Sequence, residues 1–181
     1  MISSERFEFV PRNGSSVIDI YCKPIADNRG SFSRLFCVND YGEIAKVLSV
    51  RQVNFSRTIK AGTIRGLHYQ GTPKQEDKIV FCLSGSVWDV VVNIQESNQE
   101  YLNWSATVLD STASNGIFIP KGYAHGFQSL EPNTTLIYFH SQDYVPKYQK
   151  GISPTDSRLS IGWPLKVTEI SDKDRSWAPL K

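Results

Sequence analysis

IVFCLSGSVWDVVVNI, residues 79–94, consists of two runs rich in β-branched and aromatic residues around Ser84-Gly85. Ile79–Leu83 and Ser86–Ile94 read as strands, and the Ser-Gly pair between them reads as a hairpin turn. Downstream the pattern repeats. Trp104–Leu109, Gly116–Ile119, Gly126–Leu130 and Thr134–His140 are short apolar runs, each bounded by Gly, Pro, Asn or Ser. Many short strands at near-regular spacing, with few helices, predict an all-β antiparallel sandwich or barrel.

Upstream, Val17–Tyr21 reads as a strand, Pro24–Gly30 as a loop and Ser31–Cys37 as a further strand carrying Phe32 and Phe36. Asn39–Val50 is the best helix candidate: Asn39 is a capping residue, and Tyr41, Ile44, Ala45 and Leu48 share one face. Ser49–Ser56 returns to a β pattern. The tail beyond Tyr148 is rich in Pro and Ser but holds Trp163 and Trp177, so it is expected to wrap the β body.

The 181 residues suit one domain, 1–181, with a sizeable core; 40% are hydrophobic and 21% charged. A net charge of +2 gives no reason to expect nucleic acid or an acidic membrane as partner. Glu5 and Glu8 interrupt the N-terminal stretch where a signal peptide needs an apolar core, and the apolar runs are too short to span a bilayer. The expected location is cytoplasmic. Cys22, Cys37 and Cys82 have no metal-like spacing and read as free thiols.

Immediately before Ile79 lies TIRGLHYQGTPKQEDK, residues 63–78. A fixed cation (Arg65), a titratable imidazole (His68) and a second cation (Lys78) suit an anionic substrate deprotonated next to a carbonyl. The same residue types also fit a surface Arg, a satisfied core His and a solvated Lys. A metal centre of the His-x-His type is not expected, because Gln70 stands two residues after His68. Acid–base chemistry fits better. Inverting a carbon next to a ketone takes a base on one face, an acid on the other and a donor at the enolate oxygen. His68 suits the base, Asp172 or Asp174 its partner, Lys78 the donor and Tyr138 the acid.

Several segments together resemble a known family: RGLHYQ (65–70), the Lys ten residues after its His, GSVWDVVVN (85–93), FIPKGYAHGF (118–127), LIYFHSQDY (136–144), IGWP (161–164) and SDKD (171–174). In order and spacing they are similar to dTDP-4-dehydrorhamnose 3,5-epimerases, over nearly the whole chain. The resemblance implies a jelly-roll cupin barrel with a few short helices, a homodimer, and catalysis without metal or other cofactor. The reaction it implies is inversion at C3, C5 or both of a nucleotide-linked 4-keto-6-deoxyhexose, in making cell-surface polysaccharides such as O-antigen or natural-product sugars. On that basis His68 is the base, Asp174 its partner, Lys78 the group at the ketone and Tyr138 the acid. His125 is a second active-site histidine and Arg65 contacts the substrate. Arg29, Gln52 and Asn54 contact nucleotide or phosphate, with Arg29 and its neighbour Phe32 serving the partner subunit's site.

Two positions depart from the family pattern. Arg34 replaces a Glu that accepts a hydrogen bond from thymine, and Asp143-Tyr144 replaces a pair of tyrosines. Arginine only donates, so the base pocket raises CDP beside dTDP as the expected nucleotide. A non-catalytic sugar-nucleotide binder and a keto-sugar isomerase on the same fold are the alternative functions.

Overall fold

Ser84-Gly85 carries the chain from one sheet to another; it does not close a hairpin. The computed structural model describes residues 2–180, so the two ends of the expected 1–181 domain lie outside the described residues. In chain order come β1 (Ile2–Ser3), β2 (Phe7–Pro11), β3 (Ile18–Cys22), β4 (Ile25–Asp27), β5 (Gly30–Phe32) and helix α1 (Val38–Leu48). β6 (Gln52–Thr58), β7 (Thr63–Gln70), β8 (Lys78–Ser84), β9 (Ser86–Asn93) and β10 (Trp104–Asp110) follow. After them are β11 (Asn115–Ile119), β12 (Tyr123–Ser129) and β13 (Thr134–His140). The tail adds β14 (Gln149–Gly151), β15 (Glu169–Ile170) and the short α2 (Asp172–Arg175).

One sheet has the order β1-β2-β3-β11-β8-β13-β6. The facing sheet has the order β10-β9-β12-β7-β14, with β15 parallel to β7. This is an all-β jelly roll built from two open sheets, not a barrel closed by hydrogen bonds. β8 bonds to β11 and β13, whereas β9 bonds to β10 and β12. At the crossing Gly85 has φ +74°, and a Cβ there would lie 2.6 Å from Thr134 Oγ1. Only glycine takes that turn without strain.

The central strands of both sheets are covered on both faces, which is why they read as unbroken apolar runs. Val80, Val87, Val91, Leu109, Ile117, Phe127 and Leu136 fill the space between the sheets. The alternate residues Ile79 and Phe81 point outward and pack with Phe7, Phe9 and Phe118 under α1. Tyr41 of α1 meets Phe7 and Phe9 edge-on at 4.9 and 5.0 Å, contacts of about 0.5–1.5 kcal/mol each beyond the area they bury. On the other sheet, Leu67, Val90, Val92 and Ala124 pack under the tail, with Ile152, Leu159 and Trp163. The tail does wrap the β body.

Several sequence expectations are corrected. Pro24–Gly30 is not all loop: β4 and β5 pair as an exposed hairpin turning at Asp27–Gly30. The strand expected to reach Cys37 stops at Phe32. The helix is capped by Cys37, not Asn39, and Gly42 breaks its regular geometry at φ 51°. Tyr41, Ala45 and Leu48 are its buried residues, the face expected from the sequence. The three cysteines are free, and burial pushes the Cys22 and Cys82 thiols up to about 11. Among the described residues no helix is long and apolar enough to cross a membrane.

Candidate active site

A cavity of about 600 Å³ opens between the sheets where β6, β8 and β13 face β7 and β12, with Ser171, Lys173 and Asp174 of the tail at its edge. Arg65 and His68 both line it, although residues three apart on a regular strand point to opposite faces. A bulge resolves this. Arg65 pairs with Phe127 and His68 with His125, so Gly66 and Leu67 of β7 stand against the single Gly126 of β12. Leu67 points out to the tail-covered face and both functional side chains point in. The bulge needs two glycines in contact: at Gly66 (φ +124°) a Cβ would lie 2.5 Å from Gly126 Cα and 2.8 Å from the His125 carbonyl oxygen.

His68 Nε2 is 2.6 Å from Asp174 Oδ1. The carboxylate is itself fixed, because Gly66 N–H donates to Oδ2 at 3.2 Å and the Ser171 hydroxyl accepts from Asp174 N–H at 3.1 Å. Burial would raise the Asp174 pKa, but the hydrogen bond to His68 and its charge, with the Gly66 N–H, hold it below the usual carboxylate range. An ionised Asp174 places the imidazole proton on Nε2 and leaves the Nδ1 lone pair for a substrate proton.

His125 Nε2 is likewise 2.7 Å from Asp89 Oδ2, with both side chains buried. Asp89 sits on the inward row of β9 between Val87 and Val91. Across the cavity, Tyr138 of β13 is hydrogen-bonded to Ser56 of β6 at 3.1 Å. Burial raises the Tyr138 pKa well above the ordinary phenol value, and the Ser56 hydrogen bond only partly offsets it. Lys78 is buried at the inward end of β8, its Nζ 3.2 Å from Glu76 Oε1. Glu76 Oε2 is 3.2 Å from His140 Nδ1. Burial works against the Glu76 carboxylate, yet the hydrogen bond to His140 and the Lys78 charge lower its pKa to about 2.

The structure thus gathers His68, Asp174, Lys78, Tyr138, His125, Arg65, Asn54 and Tyr144 around one cavity. Arg65 is aimed by Thr58 Oγ1 and the Arg57 carbonyl, each accepting at 3.1 Å. Five expected residues do not line the cavity within the chain: Arg29, Phe32, Arg34, Gln52 and Asp143. Arg29 is ion-paired with Asp27 at the tip of the exposed β4–β5 hairpin, which also carries Phe32. Arg34 is ion-paired with Asp40 at 3.0 Å and Asp143 with Arg51 at 3.3 Å. Gln52 touches the cavity wall indirectly, accepting from Tyr144 N–H at 3.3 Å. Sequence reasoning misses Glu76, Asp89, Ser56 and the place of His140. Among the described residues no three His, Cys, Asp or Glu side chains converge as metal ligands do.

A jelly roll with carboxylate-tied imidazoles on one sheet and a phenol and an ammonium on the other fits the class of epimerases, which move protons at carbon. The family model for dTDP-4-dehydrorhamnose 3,5-epimerase matches residues 14–181. The chain belongs to that family. It is 38% identical over 152 residues to the dTDP-4-dehydrorhamnose 3,5-epimerase of Mycobacterium tuberculosis, a match spanning 82% of this chain and 75% of that one. Its fold superposes with a TM-score of 0.92 on the dTDP-4-dehydrorhamnose 3,5-epimerase of Bacillus anthracis str. Ames with TDP and PPi bound, 29% identical, covering 96% of this chain and 99% of that one. Against the dTDP-6-deoxy-D-glucose-3,5-epimerase of Legionella pneumophila Philadelphia 1 in complex with dTDP-4-keto-L-rhamnose, the TM-score is 0.87 at 32% identity, covering 93% and 89%.

Proposed function

We propose that this protein epimerises a dTDP-linked 4-keto-6-deoxyhexose at C3 and C5, in the cytoplasm, as a step in making a deoxysugar for a surface polysaccharide. The observation that carries this reading is the His68–Asp174 pair at 2.6 Å, which shares its cavity with Tyr138 and Lys78 from the opposite sheet. His68 Nδ1 removes a proton alpha to the C4 ketone. The imidazolium that forms is stabilised by Asp174, and the Lys78 ammonium holds the enolate oxygen by a charge-assisted hydrogen bond. Tyr138 returns a proton from the other side, which inverts the centre.

Arg65, at the edge of the cavity, holds the pyrophosphate. The nucleotide lies beyond it, against Tyr144 and Asn54 and against Arg29, Phe32 and Arg34 from a second copy of the chain, so the working unit is a homodimer. The β4–β5 hairpin is exposed and carries Arg29 and Phe32 away from their own cavity, which supports the reading. One observation favours dTDP over CDP: the Bacillus anthracis relative has TDP bound.

Proton NMR in deuterated water, with dTDP- and CDP-linked 4-keto-6-deoxyglucose side by side, tests the proposal. Deuterium should enter at C3 and C5 of the dTDP substrate, and His68→Ala should stop it. Faster turnover of the CDP sugar refutes the nucleotide assignment, and full exchange in His68→Ala refutes the base.

A further inference from the structure

All three histidines of the chain line the one cavity, and each has a ring nitrogen against a carboxylate: His68 on Asp174, His125 on Asp89, His140 on Glu76. The first two are cross-strand neighbours on one sheet. His140 is on the other sheet, two residues after Tyr138 on the same face of β13, and the two rings stack at 6.0 Å and 19°. His140 therefore faces the cavity from the side opposite the proposed base.

Glu76 makes this arrangement possible. Its side chain is only 10% exposed, and its oxygens meet Lys78 Nζ, His140 Nδ1 and Gln70 Nε2, each at 3.2 Å. A carboxylate accepts from Nδ1, so the Nδ1 proton is fixed. Nε2 has no hydrogen-bond partner among the described residues, and it is not among the buried unpaired polar atoms. The His140 ring lines the cavity. A buried anion beside the path of an anionic substrate is costly unless it answers positive charge. One carboxylate shared by the Lys78 ammonium and the His140 ring holds both on the Tyr138 side of the cavity.

We infer that His140, held by Glu76, is a second proton donor on the Tyr138 side of the cavity, so that the two centres flanking the ketone each have their own donor. The inference rests on the epimerase reading above. In the step, the Nε2–H bond of the imidazolium breaks and a C–H bond forms at the enolate carbon. The electron pair comes from the enolate double bond, and the oxygen returns to a ketone. His140 is left neutral and takes a proton from water, while His68 gives up to water the proton it removed. Tyr138 alone would have to serve two centres with one phenol that is already bonded to Ser56.

Proton NMR in deuterated water on the full chain, with dTDP-4-keto-6-deoxyglucose, reads inversion and exchange at each carbon separately. His140→Asn keeps an N–H where Nδ1 meets Glu76 but lacks the Nε2 proton. It should slow inversion at one carbon at least about tenfold, with exchange at both carbons and KM little changed. Tyr138→Phe should spare the carbon that His140 serves and slow inversion at the other. Glu76→Gln, which removes the charge and keeps the shape, should impair the same carbon as His140→Asn. Wild-type inversion at both carbons in His140→Asn, or equal slowing at both, overturns the inference alone. Wild-type protein that exchanges neither carbon overturns the epimerase reading and the inference with it.

Discussion

His68 of β7 stands directly opposite His125 of β12 in the strand ladder, and each presents Nε2 to a carboxylate, at 2.6 and 2.7 Å. The two pairs differ in access: the His68 side chain is 37% exposed and that of His125 is 6% exposed. A substrate proton reaches His68 more readily. The buried His125–Asp89 pair supports the wall beside it and meets Tyr138 edge-on at 6.4 Å.

Asp174→Asn removes the acceptor that fixes the His68 proton on Nε2 and leaves the Ser171 and Gly66 contacts sterically possible. The base loses both its tautomer and the charge that stabilises its protonated form. Turnover should fall by about 10²-fold or more with KM little changed. Steady-state kinetics check this, and a variant with near-normal turnover removes Asp174 from the mechanism.

Gly66→Ala tests the bulge. The added methyl meets the backbone at Gly126 and His125, and backbone cannot rotate away as a flexible side chain does. A positive φ adds strain. The loss should exceed about 3 kcal/mol in denaturant unfolding, and any folded fraction should turn over slowly because His68 no longer faces the cavity. An unchanged unfolding midpoint contradicts the account of the bulge.

The legible parts of this chain are those in which one strand or one motif carries the signal. Thr134–His140 has the same bounds in sequence and structure, because its inward and outward rows are both apolar and both ends are marked by turn residues or a polar switch. Ile79–Ile94 reads as two strands, which it is, and as a hairpin, which it is not. Periodicity reports which face a residue takes, but not which strand accepts its hydrogen bonds, and two doubly buried strands look alike in a hairpin or an arch. His68 and Asp174, 106 residues apart, are joined in sequence by resemblance; no local pattern joins them. Glu76 escapes notice because it lies in the polar run Thr72–Asp77, which reads as a solvated loop. Its burial comes from Lys78, His140 and Gln70 closing on it.

Glu76 also sets a pH prediction. Its pKa falls from 4.5 to about 2 on folding, so the folded state prefers the ionised form. That stability is fully present above about pH 4.5 and is lost as pH falls through about 2. Compared with Glu76→Gln, the wild-type protein should be clearly more stable at pH 7. The gap should narrow below about pH 4.5 and close near pH 2. Urea unfolding across that range checks it; a gap that stays constant with pH means the carboxylate charge is not what matters.

The shared-site reading makes its own prediction. Arg29 and Phe32 project from an exposed hairpin, Phe32 is 67% exposed, and Val53 and Phe55 of the edge strand β6 are also exposed. A second copy covering these surfaces buries them and brings Arg29 to a cavity that its own chain does not offer it. Arg29→Ala and His68→Ala should then each be impaired alone, the first by weak substrate binding and the second by a missing base. Mixed and refolded together, they form heterodimers in which one site takes His68 from one chain and Arg29 from the other. Random pairing restores about one quarter of the wild-type sites. Activity should rise toward that level in the mixture and stay low in each parent. If the mixture shows only the average of its parents, Arg29 acts within its own chain or not at all, and the site is complete in the monomer.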